Sequence, residues 1–146
     1  MLLDKAQIES YIPHRAPMLL VDRLTDATAD RFLTEFTVLP DTIFLEKGRL
    51  REYALIEHIA QSGAVGLNYL YRKSKTEPQG GVLGSIAKLT LFDWPAVGDT
   101  VQTTVYLLHQ LADMYLLKGE CVVSGKKMLE CRMTLVGLMA GGGDLE

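Results

Sequence analysis

Glu57 and His58 set a carboxylate next to an imidazole inside an otherwise apolar run, Leu55 to Leu67, and of all pairs in the chain this is the one best suited to moving protons. A carboxylate among apolar neighbours needs a partner or a raised pKa, and a raised pKa is what a general acid requires. Successive side chains of a helix point about 100° apart, so these two do not share one small pocket. Glu57 shares its face with Ala60, Gln61 and Ala64, whereas His58 falls with Ile59, Ser62 and Val65. Glu57 is therefore the acid to follow. Gln61, one turn on, is placed to orient Glu57 or a water, and His58 is a structural side chain kept as a supporting residue.

Two further imidazoles exist. His14 lies between Pro13 and Pro17, whose rings stiffen the backbone, and is read as a loop anchor first and a supporting catalytic group second. His109 ends an alternating strand ahead of Gln110 and suits a rim or surface position. Cys121 and Cys131 fall inside apolar, strand-like runs with no CxxC spacing and no nearby His, so they are expected as reduced core thiols rather than metal ligands. Neither a metal nor a cofactor is called for.

The surrounding chain must position these groups. Its 146 residues, 48% hydrophobic, are enough for one good core and few for two domains, so a single domain over 1–139 is expected, with 140–146 as a flexible tail whose final Leu-Glu resembles an expression scar. Fifteen Lys and Arg against eighteen Asp and Glu leave a formal charge of −3 with no long run of one sign, which argues against a nucleic-acid partner. The start Met-Leu-Leu-Asp-Lys is too short and too soon charged for a signal peptide, and no apolar run reaches the roughly 18 residues of a membrane span. A cytoplasmic protein with no membrane partner is expected. The densest basic segment, Arg72-Lys73-Ser74-Lys75, is read as a solvated helix exit that an acidic carrier protein could also use for docking.

Along the chain, Asp4 to Tyr11 suggests a short helix capped by Asp4 and ended by Pro13. Met18 to Val21 reads as a short apolar strand, joined through a hairpin at Asp26 to Asp30 to an alternating strand from Arg31 to Leu39 with Phe32, Thr34, Phe36 and Val38 on one side. Pro40 to Arg51 is irregular. A long helix follows at Glu52 to Tyr71, with Gly63 and Gly66 inside it. Each glycine costs roughly 1 kcal/mol relative to Ala there, so both imply crowding against the helix backbone. After a polar turn at Thr76 to Gly81, strands are expected at Val82 to Leu91, Thr100 to His109, Tyr115 to Val123 and Lys127 to Leu138, with turns at Val97-Gly98-Asp99 and Ser124-Gly125-Lys126. The pattern is α+β: a curved antiparallel sheet wrapped around a central helix, whose bare edge invites pairing with another subunit.

Four motifs, in order, resemble one family. Ile12-Pro13-His14-Arg15-Ala16-Pro17-Met18-Leu19-Leu20-Val21-Asp22-Arg23 is similar to the opening stretch of the hot-dog-fold 3-hydroxyacyl-[acyl-carrier-protein] dehydratases. Glu57 with Ala60-Gln61 matches their Glu-x-x-Ala-Gln helix, and the strand before Trp94 and the turn Val97-Gly98-Asp99 match in their turn. The His14, Pro17-Met18-Leu19-Leu20 start, with Glu57 and Ala60-Gln61, looks most like divergent members linked to aryl-polyene or flexirubin pigment assembly.

The resemblance implies a single hot-dog domain that dehydrates a 3-hydroxyacyl thioester on acyl carrier protein to the trans-2-enoyl thioester, with no cofactor. It also implies a dimer, homomeric or with another hot-dog subunit, whose tunnel takes the acyl-phosphopantetheine arm. In such enzymes a loop histidine of one subunit acts on the Cα proton and the helix glutamate of the other helps expel the hydroxyl. Glu57 matches that glutamate, but Ile43 stands at the histidine position, with Phe44 keeping its phenylalanine. Arg51-Glu52 replaces a Pro-Gly whose glycine N–H polarises the thioester carbonyl, so Ile43, Phe44, Glu52 and Tyr53 mark the expected tunnel and oxyanion region, and Leu67, Leu89 and Leu91 the expected tunnel depth. Two alternatives follow: a non-catalytic hot-dog subunit supporting an active partner, for which the absent loop histidine speaks, and an acyl-thioester hydrolase in which Glu57 activates water.

Overall fold

The computed structural model describes residues 1–71 and 81–137; the expected polar turn, the basic segment from Arg72 and the tail from Ala140 lie outside the described residues or, for the turn, almost wholly so. Asp4 opens α1 (Lys5–Ile8) with a reciprocal cap: its carboxylate accepts from the Gln7 backbone N–H at 2.9 Å while the Gln7 side chain accepts from the Asp4 N–H at 2.9 Å. Turns rather than helix carry the chain on to Tyr11.

A two-residue turn at Ala29-Asp30 joins β1 (Arg23–Thr28) to β2 (Arg31–Thr37), which buries Phe32, Thr34 and Phe36 on one side. The strand expected at Met18 to Val21 is not formed, and β1 lies further along the chain. The backbone of the 18–21 segment is instead satisfied by the long helix: the Leu20 N–H donates to Gln61 Oε1 at 2.7 Å, and the Leu20 and Met18 carbonyls accept from His58 and Gln61. With those groups paired to side chains, no strand partner is needed. Within the stretch expected to be irregular, β3 (Leu45–Glu46) and β4 (Arg49–Leu50) form a small hairpin around Lys47-Gly48, both at positive φ.

Helix α2 (Glu52–Tyr71) keeps the expected limits. After it, β5 (Val82–Leu91), β6 (Thr100–Leu111), β7 (Met114–Val123) and β8 (Lys126–Val136) complete one antiparallel sheet ordered β1-β2-β6-β7-β8-β5, each strand within three residues of its expected bounds. The sheet curls over α2, which packs on β1, β2, β6, β7 and β8 through one apolar core including Phe32, Leu55, Ile59, Leu67, Val105 and Leu117. Leu67 is in that core, fully buried.

The two helical glycines are where the strands press closest. A Cβ on Gly63 would meet Leu117 Cδ1 at 2.6 Å, and one on Gly66 would overlap the Phe32 ring. Phe32 has no solvent exposure and nowhere to swing. Gly66→Ala therefore gains roughly 1 kcal/mol of helix propensity but loses about 1–3 kcal/mol to overpacking. A lower urea midpoint is expected; a raised one would show that Phe32 yields.

Strand β5 stands apart. It is an edge of the sheet, exposed along nearly its whole length on both faces, and it carries Val82 at 69%, Ile86 at 42% and Leu89 at 44% exposure, followed by Phe92 at 50%. No helix among the described residues is long and apolar enough to cross a membrane.

Candidate active site

The periodicity of α2 sends Glu57, Ala60, Gln61 and Ala64 to one side, where they line a pocket of about 40 Å³ together with His14, Gly81 and Leu83. Ala60 and Ala64 leave the space; Glu57 and His14 furnish it. His14 Nε2 stands 3.6 Å from Glu57 Oε2, with both side chains partly exposed, at 26% and 34%. Gln61 Nε2 donates to the same Glu57 oxygen at 2.9 Å and to the Met18 carbonyl at 2.9 Å. One amide thus fixes both the acid and the segment that follows His14.

His14 is not the loop anchor that its motif suggested. Arg15 performs that task, its guanidinium donating to the carbonyls of Ile12 at 3.0 Å, His14 at 2.8 Å and Glu9 at 3.0 Å. The imidazole of His14 is left to the pocket: its Nδ1 is buried and has no hydrogen-bond partner among the described residues. Burial holds its pKa below the usual histidine value, against the opposing pull of the Glu57 carboxylate and with a smaller push from Arg15, so the ring is neutral at neutral pH.

His58 does not belong to the site. It is fully buried, its Nδ1 2.7 Å from the Leu20 carbonyl and its Nε2 2.7 Å from Thr103 Oγ1. A carbonyl only accepts, so Nδ1 carries the hydrogen and Nε2 accepts from Thr103. Burial lowers its pKa to about 4, the Leu20 carbonyl and Asp22 opposing. Thr103 Oγ1 in turn lies 3.4 Å from Cys121, a free, buried thiol whose pKa burial pushes up to about 12.

Phe44, Glu52 and Tyr53 gather around the start of α2, Ile43 packs half-buried against the core, and none of the four lines the Glu57 pocket. Phe44 and Tyr53 meet edge to face at 5.3 Å, and the Arg51 N–H donates to the Phe44 carbonyl at 3.1 Å. The Glu52 carboxylate turns onto Trp94, accepting from its indole Nε1 at 2.8 Å, with Arg51 3.4 Å away. That indole bond, then the residue's own backbone N–H, hold its pKa down, so its charge is spent within this cluster. Arg51 also stacks over the Trp94 ring at 4.7 Å. Neither Leu67, Leu89 nor Leu91 lines the pocket; Gly81 and Leu83 do. No local pattern marks those two, because strand register against α2 decides them.

A curved antiparallel sheet around one acid-bearing central helix defines a hot-dog protein. The chain belongs to the ApeP-like family: the family's sequence model, described as ApeP dehydratase, matches residues 6–138. It is 32% identical over 142 residues to the 3-hydroxyacyl-[acyl-carrier-protein] dehydratase FabZ of Ligilactobacillus salivarius, covering 92% of this chain and 99% of that one. Identity to the FabZ of Enterococcus faecalis is 30% over 143 residues, with 93% and 99% covered. Among solved structures, the dehydratase heterocomplex ApeI:P from Xenorhabdus doucetiae superimposes with a TM-score of 0.79 at 24% identity, covering 88% of this chain and 89% of that one. A hypothetical thioesterase protein with coenzyme A from Streptococcus pneumoniae TIGR4 matches at TM-score 0.63 and 10% identity, with 78% and 86% covered. Both structural likenesses are likenesses of fold.

Proposed function

We propose that this chain takes part in dehydrating a 3-hydroxyacyl thioester, carried on the phosphopantetheine arm of acyl carrier protein, to the trans-2-enoyl thioester, and that Glu57 is the acid that protonates the departing hydroxyl. The observation that carries this is the position of Glu57: a carboxylate on the central helix, held by Gln61 and opening on a pocket rather than sealed in an ion pair of the core. Membership of a dehydratase family and the FabZ relatives support the reaction type. The thioesterase neighbour shares only the fold, so hydrolysis has no support beyond it.

A second hot-dog subunit is the partner this reading includes, and β5 is the edge that receives it. A ten-residue strand of which all but Leu83 and Leu91 is exposed, with Val82, Ile86 and Leu89 in the open, is a half-built interface. The heterocomplex relative favours an unlike subunit over a second copy. A cytoplasmic location goes with the carrier substrate and with two free thiols kept inside the fold.

The test incubates the purified chain, alone and with a hot-dog partner subunit, with 3-hydroxybutyryl acyl carrier protein. Enoyl thioester should accumulate while the thioester bond survives. Release of free carrier thiol without enoyl product would favour the hydrolase, and no product in either mixture would end the dehydratase reading.

A further inference from the structure

We propose that His14, from the same chain as Glu57, is the base of this site, so that the chain carries a complete proton-transfer pair although Ile43 lies where a histidine is expected. The assignment rests on the dehydration reading above and adds to it the group that removes the Cα proton.

Three observations converge. The imidazole and the carboxylate line one pocket, 3.6 Å apart, and no other titratable group among the described residues lines it. The loop that carries His14 is held by Arg15 and Gln61, so the ring is positioned without taking part in the holding. Finally, Nδ1 has no hydrogen-bond partner among the described residues, so none of them fixes the tautomer, and with the hydrogen on Nδ1 the nitrogen nearest Glu57, Nε2, accepts a proton and can pass it on.

The reactive form of the pair is the one whose single exchangeable proton sits on Glu57 while His14 is the neutral imidazole. The 3-hydroxyacyl group enters with its Cα–H toward His14 Nε2 and its β-oxygen toward Glu57. Nε2 takes the Cα proton, the electron pair of that C–H bond becomes the Cα=Cβ double bond, and the Cβ–O bond breaks. The oxygen leaves with the Glu57 proton as water. Carboxylate and imidazolium then face each other across 3.6 Å, and passage of the proton from Nε2 to Oε2 restores the starting pair. Atoms and charge balance with no further reactant. Because the two groups line one pocket only 3.6 Å apart, hydrogen and hydroxyl leave from the same face of the substrate.

The charged groups that bear on His14 are Glu57 from α2 and Arg15 from its own loop. Glu57 raises its pKa, so removing that carboxylate should lower the pKa further.

The chain, alone and with its hot-dog partner, is assayed on 3-hydroxybutyryl acyl carrier protein as parent, His14→Gln, His14→Ala and Glu57→Gln. Both His14 variants should lose about 10²-fold or more in kcat with little change in KM. Added imidazole should restore part of the His14→Ala rate and none of the Glu57→Gln rate, which a loop-anchoring role does not explain. In NMR titration the His14 resonance should move to a lower pKa in Glu57→Gln. If His14→Gln keeps the parent rate and pH profile while Glu57→Gln loses them, His14 is not the base but the dehydratase reading stands. If Glu57→Gln also keeps the rate, or no mixture turns over, the reading itself falls and the assignment with it.

Discussion

Glu57→Gln should lower enoyl formation by about 10²–10⁴-fold, the usual loss when a positioned acid or base is removed. The substitution keeps the shape of the side chain, and the Gln61 amide that donates to Glu57 Oε2 still finds an oxygen there. Since Glu57 is about one-third exposed and sits at a pocket rather than in the core, the fold should hardly notice, with urea stability within about 0.5 kcal/mol of the parent. Activity and stability are therefore expected to part company in this variant. A rate equal to the parent's would remove Glu57 from the chemistry; a large drop in stability alongside the rate would instead make it a structural acid.

The second large effect concerns acid. His58 is fully buried and its pKa stands at about 4, below the ordinary 6.5. The unfolded chain binds a proton there as pH falls through 6.5, whereas the folded chain resists until about 4. The His58 contribution is thus present in full above about pH 6.5, shrinks as pH falls through that window, and is gone below about 4. At 1.36 kcal/mol per unit the loss is on the order of 3 kcal/mol, a large share of the stability of a chain this size. His14, lowered in the same direction by burial, adds to the trend. Urea unfolding at several pH values in that range should show stability falling with pH in the parent. A His58→Gln variant should be less stable at neutral pH, because Leu20 and Thr103 lose a well-placed partner, yet show a flatter pH dependence. An unchanged slope would mean that His58 is already protonated in the native state.

What the sequence discloses depends on how far apart in the chain the deciding residues lie. Helix α2 and strand β5 keep their expected limits because long apolar periodicity and the glycine and proline signals at their ends are local. The glycines of α2 announced crowding correctly, and Phe32 and Leu117 are what crowd them. Strand β1 was displaced from its expected place because Met18 to Val21 is apolar enough for a strand, while the real strand, Arg23–Thr28, buries only Leu24 and bulges after it. Nothing in a four-residue run tells whether its backbone will pair with a strand or with Gln61 and His58, about forty residues away.

The same distance explains the site. The face holding Glu57, Ala60, Gln61 and Ala64, and the separate face holding His58, follow from helical angle alone. His14 comes to Glu57 from 43 positions earlier, through a loop whose path is fixed by Arg15 and Gln61. Its neighbouring prolines suggested stiffness, which is correct, but stiffness does not say where the ring points. Arg15 carried no signal beyond its place in the motif, since its three carbonyl partners are brought together only by the turn after α1.

Strand β5 bears on how the protein must be made as well as on what it does. A copy that has not met a neighbour offers a ten-residue template lined with Val82, Ile86 and Leu89, open to any extended segment that diffuses past. Covering that strand should therefore do more for the solubility of the chain than strengthening its core. If β5 is closed by another hot-dog subunit, as proposed above, co-expressing the two rather than mixing them later should raise the yield of soluble chain.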